Sequence, residues 1–110
     1  MSIGELVERS KDLNPEQELI FLENVLLGLT VGARMLYIKN PNPNDRLRIY
    51  VQINEINHHL LNRVSALRGG DQFFTVEYTW HSVAGHFGGA PGLSALVVGL
   101  ANAVLAKQGA

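Results

Sequence analysis

No cysteine occurs among the 110 residues. That excludes disulfides, thiol catalysis and thiolate metal sites, and it fits a cytoplasmic chain. Strong charge of either sign is also missing, the net charge being -1. A chain so close to neutral has neither the basic footprint that nucleic acid requires nor the polybasic face of a membrane-surface binder. The common nucleotide and hydrolase motifs are absent too: no glycine-rich loop with a lysine, no G-x-G-x-x-G, no G-x-S-x-G and no H-E-x-x-H. The opening MSIGELVERSKDL carries five charged residues after Gly4 and no long apolar run. It is expected to be part of the fold and not a signal peptide.

What the chain does have is apolar surface. Its hydrophobic fraction of 46% is ample for a core at one-domain length, so residues 1–110 are read as a single helical domain. Residues 2–10 suggest a short leading helix, with Ser2 and Glu5 as a capping box and Ile3, Leu6 and Val7 on one side. So short a helix holds only by docking. Asn14, Pro15 and Gln17 mark a strong helix start, running to about Lys39. Leu19, Leu22, Leu26, Leu29, Ala33 and Leu36 form a heptad-like seam along it. Phe21, Val25, Leu27, Val31, Met35 and Ile38 add a second apolar surface. Gly28 and Gly32 fall mid-helix, where each costs nearly 1 kcal/mol in propensity, so a close helix contact is expected there.

After the Asn-Pro turn at residues 40–45, with Asn44 or Asp45 as cap, residues 45–67 carry Ile49, Ile53, Ile56, Leu60, Val64 and Leu67 at steps of three and four. That spacing is a one-sided helix. It ends at Arg68, Gly69 and Gly70. A third long element begins at a cap on Asp71. Phe73, Val76, Trp80, Val83 and Phe87 again step by three and four. Helix is expected, with strand as the alternative over residues 73–80 because that run is rich in aromatic and β-branched types. Pro91 opens a last helix to about Lys107, in which Gly92, Ala95, Gly99 and Ala103 line one side and would admit a close neighbour. Its 17 uncharged residues, 90–106, read as a core helix and not a membrane span. The implied fold is all-α, an antiparallel bundle of about four main helices with a short N-terminal helix.

The chemistry concentrates in the second long helix, where His58 points away from the apolar stripe. The stretch Glu55 to Asn62, E-I-N-H-H-L-L-N, resembles the phosphoacceptor helix of one class of sensor histidine kinases, which reads E-I-H-H-R-V-K-N. The resemblance covers eight residues, with His59 in place of arginine and Leu61 in place of lysine. It implies His58 as the phosphorylated residue, Glu55 as its acidic neighbour and Asn62 as the trailing asparagine. With no nucleotide-binding part in the chain, the phosphoryl group would come from another protein. A second possibility is a metal site. Glu55 and His58 have the E-x-x-H spacing that helical bundles use for carboxylate and imidazole ligands, and Glu77 and His81, four apart, would add two more, suiting zinc, iron or manganese. Glu18 or Glu23 would be a further carboxylate. The leading expectation is neither of these. Apolar groups on several sides of residues 19–38 and 90–106 exceed what one small domain can cover. That points to a non-catalytic protein-interaction module, a homodimer or one with a protein partner, with no cofactor and no small-molecule ligand assigned.

Overall fold

The paired cap at Asn14 forms as its residue types dictate. The Asn14 carboxamide oxygen accepts from the Gln17 N–H at 2.8 Å, and the Gln17 carboxamide oxygen accepts from the Asn14 N–H at 3.2 Å. Two of the amides that a helix start leaves unpaired are thereby satisfied. In a computed structural model of the protein, residues 3–70, 74–86 and 93–108 are described. Five helices carry them: α1 (Ile3–Lys11), α2 (Pro15–Lys39), α3 (Pro43–Leu67), α4 (Val76–Ala84) and α5 (Leu93–Gln108). The fold is an all-α bundle with a short leading helix. Ser2, Asp71, Phe73, Phe87 and residues 88–92, including Pro91, were given roles above and lie outside the described residues.

Two helix starts differ from expectation. The cap of α3 is Asn42, two residues earlier, because its side chain accepts from the Asn44 N–H and Pro43 takes the first helical position. Nine-residue α4 begins only at Val76, where the Thr75 hydroxyl accepts from the Tyr78 N–H at 3.0 Å. The strand alternative for residues 73–80 is therefore set aside for residues 76–80. The stop of α3 follows its sequence closely. Gly69 adopts φ 89°, Gly70 N–H reaches the Ser65 carbonyl at 2.9 Å and Gly69 N–H the Ala66 carbonyl at 3.1 Å. That is the paired bonding of a Schellman motif, which needs a residue without Cβ at the left-handed position.

The principal helix contacts form a ring. Helix α2 packs on α3 and α5, α3 on α4, and α1 closes the circle between α4 and α5. The core at its centre holds Leu6, Phe21, Leu29, Ile56, Leu60 and Trp80, all essentially without solvent contact. The Phe21 and Trp80 rings meet tilted, 6.2 Å between centroids, within the favourable range for an aromatic pair. The α3 stripe behaves as its spacing demands, with Ile49, Ile56, Leu60 and Val64 buried and Ile53 and Leu67 packed at the edge. Although α1 is short, Arg9 donates to Asn102 of α5 at 3.0 Å and Lys11 pairs with Glu77 of α4 at 2.9 Å.

The expected seam of α2 is used inside the bundle. Leu22, Leu29 and Ala33 are buried and Leu19 and Leu26 pack against the core. The glycines of α2 explain themselves there. A Cβ on Gly28 would lie 2.7 Å from a methyl of Leu100, and one on Gly32 2.7 Å from a methyl of Leu96. The close approach is made by leucines of α5 seated on α2 glycines. The small residues of α5 do not make it, since Ala95, Gly99 and Ala103 are exposed.

Among the described residues, one polar contact joins three segments across this apolar interior. Arg63 of α3 grips Glu18 of α2 with two bonds, at 2.7 and 2.8 Å, and donates a third to the Phe74 carbonyl just before α4. The two side chains are 17% and 7% exposed. Removing one partner strands a buried charge, which typically costs about 3–5 kcal/mol. Urea unfolding of Arg63→Ala and Glu18→Ala should show losses of that size, and the Glu18→Leu/Arg63→Met double variant a smaller one than either. The glycine contact has its own test. Gly28→Ala gains about 1 kcal/mol of helix propensity but must displace Leu100. It should therefore be more favourable in a Leu100→Ala background than in the wild type. The expected coupling from a double-mutant cycle is about 0.5–3 kcal/mol.

Candidate functional site

Helix α3 presents three different surfaces, and each meets different surroundings. At about 100° per residue, His58 lies roughly 165° from the centre of the apolar stripe and His59 roughly 95°. The first is exposed accordingly and the second is half-buried. His59 stands on the flank that α4 covers.

At the end of α4 the chain turns through Gly85, and the His86 N–H donates to the Val83 carbonyl at 2.9 Å. This places the His86 ring 5.8 Å from the His59 ring, centroid to centroid. Glu55, one turn before His59, completes a cluster. One ligating atom from each of Glu55, His59 and His86 lies within 4.8 Å of the other two. Burial, then the proximity of His86 and of His58, hold the His59 imidazole below its usual pKa, with Glu55 opposing the shift. That direction favours the neutral imidazole, the form in which histidine ligates a metal ion.

The residues singled out from the sequence are only partly brought together. Of the set Glu55, His58, Glu77 and His81, Glu55 alone belongs to the cluster found here. His58 is turned outward, its ring 6.1 Å from that of His59. His81 is exposed, and Glu77 is engaged by Lys11 at 2.9 Å. Glu18 is taken by Arg63, and Glu23 by Arg68. For the phosphotransfer set, His58 and Glu55 are exposed and Asn62 is half-buried on the turn that follows. The ligands that spacing alone did not select are His59 and His86. Glu55 and His59 stand at the i, i+4 spacing of one helix face, a signal present in the sequence. No local pattern indicates His86, which is delivered by packing.

The opposite flank of α3 forms a groove with α2. Thr30, Arg34, Tyr37, Ile38, Tyr50, Ile53, Asn54 and Asn57 line it, around a volume of about 490 Å³. The Arg46 guanidinium sits 6.0 Å from the Tyr37 ring centre at its lower end, within cation–π range. Beside the groove, much of α2 is apolar and uncovered. Leu27, Val31 and Ile38 are more than 60% exposed.

No family model matches this chain, and no curated protein or solved structure matches it.

The Lys11–Glu77 pair, which helps dock α1, yields a pH prediction. The Lys11 hydrogen bond is the main cause holding the Glu77 carboxyl below its usual range, and Glu77 in turn raises the Lys11 ammonium. A depressed carboxylate stabilises above its unfolded pKa and stops doing so as pH falls through the folded value. A raised ammonium stabilises below its unfolded pKa and stops as pH rises through the folded value. The difference in Tm between wild type and Lys11→Met should therefore be level through neutral pH. It should shrink on acidification through the carboxylate range and again on alkaline titration of lysine.

Proposed function

We propose that the chain is a non-catalytic interaction module that associates with a second copy of itself through the outer face of α2. One observation carries this reading. Ile20, Leu27, Val31 and Ile38 are 49%, 65%, 61% and 62% exposed, and together with Asn24 and Arg34 they step 4, 3, 4, 3, 4 along the helix. That is the spacing of a coiled-coil seam, distinct from the one buried inside the bundle. Met35 and, from α3, Leu47 and Tyr50 extend the exposed apolar area. A monomer that left this surface wet would carry a patch of the kind that marks association sites.

A like partner is favoured by charge and by pattern. The net charge of -1 sets up little repulsion between copies. Asn24 and Arg34 interrupt the seam, and polar groups at such positions fix register between paired helices. Helix α2 is also, among the described residues, the one helix long and apolar enough to cross a membrane, with 28% of its most apolar window buried. In the bundle its inner seam packs against α3 and α5, and leaving for a bilayer would empty the core of Phe21, Leu22, Val25 and Leu29.

Sedimentation equilibrium at micromolar concentration should give a dimer. Leu27→Glu and Val31→Glu should give monomers with unchanged helical circular dichroism. A wild-type monomer would overturn the reading, and flotation of the wild type with neutral phospholipid vesicles would assign the same face to a membrane.

A further inference from the structure

We propose that Glu55, His59 and His86 form a binding site for a divalent transition-metal ion, with Zn²⁺ the best match. The inference does not rest on self-association, because the cluster lies on the α4 flank of α3 and the seam lies on α2.

The donor set is two imidazoles and one carboxylate, without thiolate. Nitrogen-rich sets of this kind select zinc and its first-row neighbours over Ca²⁺ and Mg²⁺, which require oxygen ligands in greater number. Geometry supports the assignment. A tetrahedral zinc with bonds of about 2.0–2.1 Å sets its donors about 3.3 Å apart. The three ligating atoms already lie within 4.8 Å of one another, so closure asks for little more than side-chain rotation. Glu55 is exposed and free to swing, while His59 and His86 are half-buried and restricted. Two ligands come from one turn of α3 and the third from beyond the end of α4, so a bound ion would cross-link two helices. Three protein ligands with the exposed Glu55 edge leave a fourth position for water, the arrangement of an open and not a closed site.

The mode of binding separates this site from ordinary chelation by surface histidines. His58 is the more accessible neighbour of His59, and His81 is exposed on α4. Neither belongs to the cluster. If exposure alone governed binding, those two would dominate.

The test uses the full chain stripped with EDTA and titrated with Zn²⁺ by calorimetry, with Ca²⁺ and Mg²⁺ as controls. The expected result is one Zn²⁺ per chain, with no heat from the controls. Glu55→Gln, His59→Gln and His86→Gln should each weaken binding by more than about 100-fold, the upper end of what loss of a mere supporting contact costs. His58→Gln and His81→Gln should leave it unchanged. Zinc should raise Tm in the wild type by mass action and fail to do so in Glu55→Gln. That exposed substitution keeps the test valid if either histidine variant folds poorly. No bound zinc, wild-type affinity in the three cluster variants, or loss of binding in His58→Gln or His81→Gln would overturn the site.

Discussion

The bidentate contact between Arg63 and Glu18 is the constraint on which the arrangement of this bundle depends. Hydrophobic burial is non-directional and leaves helices free to slide or rotate against one another. A planar guanidinium held by a carboxylate at 2.7 and 2.8 Å does not allow that freedom. It fixes the start of α2 against the last turns of α3. By donating to the Phe74 carbonyl, the same guanidinium also sets where the chain emerges before α4. The position of α4 determines where His86 lies, so a polar contact in the interior governs the geometry of the candidate metal site at the surface.

Helix α2 divides its apolar residues between two tasks. Its inner face supplies Phe21, Leu22, Val25 and Leu29 to the core and receives Leu96 and Leu100 on Gly32 and Gly28. The glycines give up helix propensity so that α5 can seat its leucines closely. The outer face keeps Ile20, Leu27, Val31 and Ile38 in contact with water. A helix of 25 residues in a bundle this small has more apolar circumference than its neighbours can cover. The uncovered part is therefore available for assembly. The same helix would carry core stability and association, so substitutions on its two faces act on separable properties.

Much of the fold was legible in the residues themselves. The capping box at Asn14, the Ile49 to Leu67 stripe and the Gly69 stop are local devices, and local devices are set by neighbours in sequence. The start of α4 was less legible, because Thr75 as a cap competes with the strand-like composition around it, and what settles Phe74 is an arginine eleven residues away. The small-residue stripe of α5 was misleading in the same way. Ala95, Gly99 and Ala103 permit a close contact but do not specify one, and the contact formed where leucines met the glycines of α2. Of the candidate ligands, Glu55 was legible, as was the outward orientation of His58. The spacing of His59 from Glu55 was also there to be read, whereas its pairing with His86 was not.

The sequence by itself determined five helical segments, most of their boundaries, which faces are apolar and the outward direction of His58, because helix periodicity and capping are properties of short stretches. Only the tertiary structure decided that Phe21 and Val25 of the second apolar surface of α2 are buried while Leu27, Val31 and Ile38 stay exposed, that Glu18 and Glu77 are held by Arg63 and Lys11, and that His86 faces His59. Those outcomes depend on which helices become neighbours around the ring. That choice is made by packing and by one buried ion pair between residues forty-five positions apart, a separation across which no local pattern carries information.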